Sequence, residues 1–326
     1  MSYQRIIDSL SCLIGSILAD EIGMDWLSKL LRQSQPGARI DTRCQLPAGA
    51  RRFHDAVSGS TAPFHLVVEG QCDIVLNERI LAMRAGDFLL LPRGQEHEIR
   101  ISGNANAGQP RESVSVHYGQ ALAHVVVGSA VPTIDLFCGH YSFETGAGHV
   151  FLAGIPNPLQ VNVAEASPSG FRDLVSLLRL AADNDKLGAS VMLDSLAQVL
   201  LVLALQVDST DHVPSILKAT DTAVRAAIAA VVAQPGEKWT VDRIAEVCCV
   251  SRSTLVRRFR SDTGATVADF VTWVRVMYAA DLLRKPGYSV ANVSDTVGYS
   301  SASAFSKAFQ SAIGISPGRY ARQARD

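Results

Sequence analysis

The spacing of apolar and polar positions divides the chain into a strand-rich first part and a helical second part. From about residue 38 to residue 143, short apolar runs such as 64–69 and 88–91 alternate with turn signals at Gly70 and Gly86. Many short strands separated by Gly and Pro residues predict a small β-barrel or jelly roll. A short amphipathic helix is predicted just before it, over residues 25–33.

Beyond Pro158 the apolar positions follow a helical period and predict a hairpin of two helices. One apolar face holds Phe171, Leu174, Leu177 and Leu178, and the other holds Val191, Leu193, Leu196, Val199, Leu200 and Leu203. The hairpin packs either on the barrel or on a partner chain, so a homodimer is left open. The polar segment 207–214, which ends in a proline, predicts an interdomain linker.

The last third of the chain contains an internal repeat. Residues 240–259 (TVDRIAEVCCVSRSTLVRRF) and 289–309 (SVANVSDTVGYSSASAFSKAF) share a capped helix, a tight turn, a second helix begun by serine, and a closing Phe. Thr240 and Ser289 are good N-caps, and Ile244 and Val247 are expected to face inward in the first copy. Each copy predicts a helix-turn-helix.

These patterns together predict an α+β protein. We expect an N-terminal extension over 1–24 and a small β-barrel with its helical hairpin over 25–206. A linker over 207–214 then leads to an all-α double helix-turn-helix domain over 215–326.

Charge is distributed unevenly between the two parts. Residues 215–326 hold 15 Lys and Arg against 9 Asp and Glu, a net charge of +6, whereas residues 1–214 hold 15 against 22, a net charge of −7. A basic module joined to an acidic one indicates a polyanion-binding domain attached to a second function.

Composition excludes several classes of protein. Hydrophobic residues make up 48% and charged residues 19% of the 326, which excludes a mainly disordered chain. No uninterrupted apolar run approaches about 18 residues, so no membrane span is predicted. The six cysteines include no CxxC pair, which argues against structural zinc.

The second helix of each repeat presents small polar and basic side chains to solvent. They are Arg252, Ser253, Val256 and Arg257 in the first copy, and Ala302, Ser303, Ser306 and Lys307 in the second. Reading the major groove requires such a face, because Arg bonds guanine and Ser reaches bases or phosphates. A helical bundle with a solvated basic face is the alternative, and two matched copies make it the weaker one.

On these residues the chain resembles the AraC/XylS family of transcription regulators. The resemblance covers 215–322 and is most specific over 297–309 (VGYSSASAFSKAF) and 314–320 (GISPGRY). It implies a long helix near 267–284 joining two recognition helices that enter successive major grooves. It also implies base readers at Ser253, Val256, Arg257, Ala302, Ser303 and Lys307. One departure is Cys249, which stands where the family usually has glycine in the first turn.

Residues 86–97 (GDFLLLPRGQEH) fit the second cupin motif, G-x5-P-x-G-x2-H, without a mismatch. His65 and Glu69 supply half of the first motif, but Pro63 occupies the place of its other histidine. Residues 25–206 therefore resemble the cupin-type ligand domain of such regulators. His65, Glu69 and His97 are the predicted effector pocket. A divalent metal such as zinc or iron on these three residues is not favoured, since one ligand is missing, and no cofactor is predicted.

Two cysteines offer an alternative way to sense a signal, by oxidation of their thiols. Reversible oxidation of Cys44 and Cys138 is the alternative to a small organic effector. We favour the effector, because most cytosolic cysteines are buried apolar residues. A cupin oxygenase fused to a DNA-binding domain is a further alternative, and we do not favour it.

The sequence therefore predicts a cytoplasmic transcription regulator, an activator rather than a repressor, and not an enzyme. Its expected partners are double-stranded promoter DNA, RNA polymerase, and a small-molecule effector or oxidant.

Overall fold

The computed structural model describes residues 25–57, 60–102, 114–118, 121–127, 131–143, 146–183, 186–207, 216 and 219–325. The chain forms two compact units. We call residues 36–142 and 156–209 the β unit, and residues 25–35, 143–155 and 210–326 the helical unit. The predicted extension over 1–24, and all of the predicted linker except Val207, lie outside the described residues.

Eleven described strands build the β unit. They are β1 (Gly37–Leu46), β2 (Arg51–His54), β3 (Thr61–Glu69), β4 (Gln71–Leu76), β5 (Arg79–Arg84), β6 (Asp87–Leu90), β7 (His97–Arg100), β8 (Val114–Tyr118), β9 (Ala123–Val127), β10 (Ile134–Ser142) and β11 (Leu159–Asn162). They form a seven-stranded sheet in the order β11-β6-β3-β10-β1-β9-β8 and a four-stranded sheet in the order β2-β7-β4-β5. The predicted α+β class, with strands in the first part of the chain and helices in the last, is confirmed.

An apolar core fills the β unit. Alternate residues of β3, β10 and β1 contribute Val67, Leu136 and Cys44, and Ile74 and Ile99 come from β4 and β7 of the four-stranded sheet. Because side chains alternate across a strand, each of these strands presents one face to this core. The other face of the seven-stranded sheet is buried as well, which explains why β10 is buried along most of its length.

Three helices among the described residues belong to the same unit. They are α3 (Val163–Ala166), α4 (Pro168–Asp183) and α5 (Ala189–Gln206), and α4 and α5 form the predicted hairpin. Helix α5 is long and apolar enough to cross a membrane. Eight of its residues are nevertheless buried against the rest of the unit, and the Tyr141 hydroxyl donates to the Ala197 carbonyl at 2.7 Å. This packing is that of a core helix.

The hairpin does not bury every residue that the apolar pattern placed inside. Leu177, Val191 and Val199 are 41%, 67% and 49% exposed. Small residues take their places in the interface, among them Ala181, Ala197 and Ala204. Alanines bring the two helices close together, and the periodicity of large apolar residues alone does not show which side they select.

The helical unit contains the other helices that the structure describes. They are α1 (Trp26–Ser34), α2 (Gly146–Ala153), α6 (Thr222–Ala233), α7 (Val241–Val247), α8 (Arg252–Thr263), α9 (Val267–Arg284), α10 (Val290–Thr296), α11 (Ala302–Ile313) and α12 (Pro317–Gln323). Two of them, α1 and α2, come from the range predicted as the sensor domain, so the compact units do not follow the predicted boundaries of 25–206 and 215–326.

Hydrogen bonds attach α2 to the C-terminal helices. The Trp273 indole donates to the Val150 carbonyl at 2.6 Å, and the Gly146 amide donates to the Tyr320 hydroxyl at 3.0 Å. The buried face of α2 includes Phe151 and Leu152. Burial of this apolar face, which the sequence order does not reveal, explains why residues 143–155 belong to the helical unit.

A buried ion pair joins β1 to β10. Arg43 donates to both carboxylate oxygens of Asp135 at 2.8 Å, and these two side chains are only 7% and 8% exposed. The same guanidinium donates to Asp183 at 2.6 Å, but that carboxylate is 58% exposed. The hydrogen bond with Asp135 is the largest factor that raises the pKa of Arg43, and burial opposes it.

We expect Asp135→Ala to lower the free energy of unfolding by about 3–5 kcal/mol, because it leaves the Arg43 charge buried without its main partner. Asp183→Ala is the matched control. It removes an exposed partner of the same guanidinium, so its effect is expected to stay below about 1 kcal/mol. Urea unfolding followed by circular dichroism measures both values. Equal losses in the two variants would contradict this account of the pair.

Candidate nucleic-acid interface and histidine cluster

The first helix-turn-helix is formed by α7 and α8. The Thr240 side chain accepts a hydrogen bond from the Arg243 amide, and the Ser251 side chain accepts one from the Thr254 amide, so each helix has a side-chain N-cap. Cys249 in the turn has a φ of 53°, in the left-handed region that favours glycine. Val247 is exposed, contrary to the prediction, because α7 ends there and Ala245 takes the buried position beside Ile244.

The second helix-turn-helix, α10 and α11, repeats this geometry. Ser289 accepts from the Asn292 amide and Ser301 accepts from the Ala304 amide. The turn between them contains Gly298 with a φ of 80°. The two helix-turn-helix motifs thus have equivalent caps and a left-handed residue at the same place in the turn, as the sequence repeat predicts.

The turn at Gly298 has no room for a side chain. A Cβ atom at this position would lie 2.6 Å from the Gly236 carbonyl oxygen and 2.8 Å from the Arg275 Nη2. Arg275 is itself fixed, since its guanidinium donates to the Pro235 and Glu237 carbonyls and lies 5.4 Å from the centre of the Tyr299 ring. The second turn therefore needs glycine for both its conformation and its space.

Helix α9 connects the two helix-turn-helix motifs. Its 18 residues span about 27 Å at 1.5 Å per residue, and ten of them are buried. Phe270 of α9 contacts Phe259 of α8 with ring centres 5.5 Å apart. Because one continuous buried helix contacts both helix-turn-helix motifs, the positions of α8 and α11 relative to each other are fixed.

The exposed faces of α8 and α11 carry the predicted DNA-reading residues. Seven of the eight are exposed, namely Arg252, Ser253, Val256, Arg257, Ala302, Ser303 and Lys307, and Ser306 is partly buried. Arg252 forms an exposed ion pair with Asp242 at 3.2 Å. Within the part of the chain that the structure describes, Arg257 and Lys307 form no ion pair. Their charges are directed to solvent.

In the β unit, two of the three predicted pocket residues meet. His65 on β3 and His97 on β7 face each other across the two sheets, with their Nε2 atoms 2.7 Å apart. The Nδ1 atom of His97 lies 2.9 Å from the Gln95 carbonyl oxygen, and the Nδ1 atom of His65 lies 3.1 Å from the Cys138 sulfur. Both rings are therefore fixed at both nitrogens.

His54 completes the cluster, and the sequence motifs did not identify it. It lies on β2 directly opposite His97 in the antiparallel pair. The ring centres of the three histidines lie 4.8–5.0 Å apart, and one ligand atom from each falls within 4.8 Å of the others. Only the register of β2 with β7 places His54 here, and no spacing in the sequence reveals that register.

Burial keeps these imidazoles neutral near pH 7. Removal from water lowers the pKa of His54 to about 3 and lowers the pKa of His65 well below its ordinary value. Burial also lowers the pKa of His97, although the hydrogen bond to Gln95 opposes the effect. Neutral imidazole has a lone pair available for hydrogen bonding or for metal coordination.

Glu69 does not join the histidines, so the predicted set of His65, Glu69 and His97 is wrong as a single site. Four residues of extended strand separate Glu69 from His65 by roughly 13 Å. Glu69 is exposed at the end of β3, where it accepts from Arg179 at 3.1 Å. It lines a cavity of about 450 Å³ together with Arg43, Asp135 and Arg179, and this lining is charged rather than apolar.

Cys44 and Cys138 lie together in the apolar core. Their shared hydrogen bond lowers the pKa of Cys44 to about 7 and raises the pKa of Cys138 well above its ordinary value. Both residues are almost completely buried. The predicted pair is therefore adjacent, but the packing shields it from solvent.

Comparisons with known proteins identify both parts of the chain. A family model described as Cupin matches residues 25–207, and one described as Helix-turn-helix domain matches residues 244–323. The chain belongs to the AraC-type transcription regulators with a cupin domain. It is 29% identical to an HTH-type transcriptional regulator of Haemophilus influenzae, with 91% of this chain and 98% of the relative covered.

Two other relatives of this regulator cover the chain to a similar extent, and a solved DNA-binding domain covers about a third of it. The regulator MtrA of Neisseria gonorrhoeae is 28% identical over 92% of this chain and 99% of its own. The activator RclR of Escherichia coli is 25% identical over 93% and 99%. The DNA-binding domain of AdpA in complex with a target DNA is 31% identical over 32% of this chain and 95% of its own, with a TM-score of 0.31. The relatives carry the names of transcription regulators, and this chain is a regulator and not an enzyme.

We expect Gly298→Ala to destabilise the helical unit more than Gly287→Ala does. The φ angles are 80° at Gly298 and 87° at Gly287, so alanine at either position introduces backbone strain of about 1 kcal/mol. Only at Gly298 does the added carbon also meet the Gly236 carbonyl, whereas nothing lies within 4 Å of the Cβ position at Gly287. Thermal unfolding of the two variants compares them, and a smaller loss for Gly298→Ala would contradict the contact.

Proposed function

We propose that this regulator reads promoter DNA with α8 and α11, each placed in a major groove. The observation that carries the proposal is the matched pair of capped helices on one connecting helix, with the Arg257 and Lys307 charges directed to solvent. Two helices held rigidly by α9 suit a duplex that repeats its groove once per turn.

The proposed contacts follow from side-chain chemistry. Arg257 donates two hydrogen bonds to guanine, while Ser253 and Ser303 bond bases or phosphates. Val256 and Ala302 contact thymine methyl groups, and Ser306 and Lys307 bind phosphates further along α11. Arg252 approaches the backbone after it releases Asp242, its exposed partner.

We further propose that the β unit receives the signal as a small-molecule effector. Its support is the buried polar cluster on facing sheets, which is unusual in an otherwise apolar core. Oxidation of Cys44 and Cys138 is the weaker alternative, because both thiols are shielded and a reactive thiol needs access. In the cytoplasm, where promoter DNA lies, the regulator would then recruit RNA polymerase as an activator.

A second copy of the chain is the proposed occupant of the exposed face of the hairpin. This face, which we call the α5 face, carries Val191, Ser195, Val199 and Val202 on successive turns of α5. Asp194 is the one charged residue between Ala189 and Gln206. A neutral, half-apolar stripe of this kind is suited to pairing with its own copy about a two-fold axis.

Arg257→Ala is expected to weaken binding to the selected operator by about 1–3 kcal/mol and to relax the preference for guanine at one position. Lys307→Ala should weaken binding to all sequences alike and lower the salt dependence by about one counterion. Fluorescence anisotropy against an operator selected from random duplexes, at several salt concentrations, measures both effects.

Arg79→Ala supplies the control for this pair, since it removes the same charge from an exposed strand of the β unit. Its affinity and its salt dependence should match those of the unchanged protein. If the unchanged protein shows no preference for any sequence in the random pool, the proposed reading of DNA is wrong.

Val191→Glu combined with Val199→Glu is expected to convert a dimer into monomers, because it places four charges in a two-fold interface. Sedimentation velocity at several protein concentrations measures the change. Ile80→Glu is the control, since Ile80 is an equally exposed apolar residue on β5. A double variant that stays dimeric, or an unchanged protein that is monomeric throughout, refutes the proposed use of the α5 face.

A further inference from the structure

We propose that His54, His65 and His97 form a binding site for one transition-metal ion of the zinc type. The inference deepens the proposed function, because it names a ligand of the unit that receives the signal. It does not depend on the contacts between α8, α11 and DNA. The site differs from the one that the cupin motifs indicate, since His54 lies outside both motifs and Glu69 is absent from it.

The three histidines come from three strands of two facing sheets. His54 and His97 are direct neighbours on β2 and β7, and His65 approaches them from β3 of the opposite sheet. A zinc ion with bonds of about 2.1 Å in tetrahedral geometry holds its nitrogen ligands about 3.4 Å apart. The Nε2 atoms of His65 and His97 are 2.7 Å apart and must separate by less than 1 Å to admit the ion. The His54 ring stacks on His97 with ring centres 4.8 Å apart, so it must turn to direct a nitrogen at the same ion.

Outer contacts direct the lone pair of His97 into the cluster. A carbonyl oxygen can only accept a hydrogen bond, so the contact with Gln95 at 2.9 Å places the proton of neutral His97 on Nδ1. Its Nε2 atom therefore faces His65 as a lone pair. The equivalent outer contact of His65 is the Cys138 sulfur, which lies 3.1 Å from Nδ1 and can accept a hydrogen bond from it.

With both outer protons in place, two lone pairs face each other at hydrogen-bond distance, which is repulsive unless a cation lies between them. The competing state has no metal. In that state the Cys138 thiol donates to His65, and His65 donates to His97 through Nε2. The position of the His65 proton, on Nε2 or on Nδ1, therefore separates a closed hydrogen-bond chain from a metal site.

His54 provides the third nitrogen and the route of entry. It is less buried than the other two histidines, and the Arg52 Nε atom donates to its Nε2 at 3.3 Å. A metal ion at this Nε2 must displace Arg52, which also carries an opposing positive charge. Arg52 thus competes with the cation, so removal of its side chain should strengthen metal binding.

The donor set selects the class of metal. Three imidazoles without a carboxylate suit zinc, cobalt or copper and not magnesium or calcium. Three histidine ligands also leave a fourth coordination position open, as in zinc sites that bind a further small ligand. An effector with a donor atom of its own is the chemistry that this position would accept.

The test uses the untagged full-length chain, stripped with a chelator and titrated with Zn²⁺ and Co²⁺. We expect one ion per chain, a rise in melting temperature with zinc, and the visible absorption bands of tetrahedral cobalt. His54→Gln and His97→Gln should each raise the Kd for zinc more than about tenfold, and Cys138→Ser should raise it about tenfold through the outer contact. Arg52→Ala should lower it several-fold.

His124→Gln is the matched control. His124 lies on β9 of the same unit, and its ring contacts the Ala182 carbonyl. The site is refuted if no stoichiometric ion binds, or if His54→Gln binds zinc as the unchanged chain does. Circular dichroism checks that each variant is folded, and His54→Gln decides the matter should the more buried His97→Gln unfold. Operator binding measured on the same samples shows whether the proposed reading of DNA stands when the metal site fails.

Discussion

The register of β3, β10 and β1 is the constraint on which the interior of the β unit depends. Cys138 pairs directly with His65 on one side and with Thr42 on the other, while Leu136 pairs with Val67 and Cys44. Since side chains alternate along a strand, this register places all six on the same face of the sheet. A shift by one residue would exchange that face for the one that carries Arg43 and Asp135, which would move a buried ion pair into the apolar core.

The same register explains how polar groups are tolerated inside. The thiols of Cys44 and Cys138 satisfy each other, and Cys138 also contacts His65, which in turn contacts His97. An isolated imidazole in that core would carry an unpaired polar group, with a penalty of about 1–3 kcal/mol. A connected network avoids this penalty only while every member keeps its neighbour, so the cluster is sensitive to any ligand that changes one of them.

The helical unit depends on a different constraint, the continuity of α9. This helix contacts α8 on one side and α10 and α11 on the other, and its Trp273 also donates to α2. Helices α1 and α2 therefore complete the hydrophobic surroundings of the DNA-binding helices, although the chain enters them from the cupin region. Segments 25–35 and 143–155 of the DNA-binding unit are joined to the β unit by three chain junctions, at residues 35–36, 142–143 and 155–156.

Local chemistry in the sequence determined the parts of this protein that need only short-range information. The caps at Thr240, Ser251 and Ser289 could be predicted, and the fourth could be narrowed to Ser300 or Ser301, because each depends on residues within one turn of helix. Tertiary structure decided the rest. His54 lies beside His65 and His97 only because β2 pairs with β7. Glu69 lies apart from them because four residues of extended strand place it about 13 Å from His65. Segment 143–155 belongs to the helical unit because its apolar face is buried there, and a residue pattern does not specify which surface will cover it.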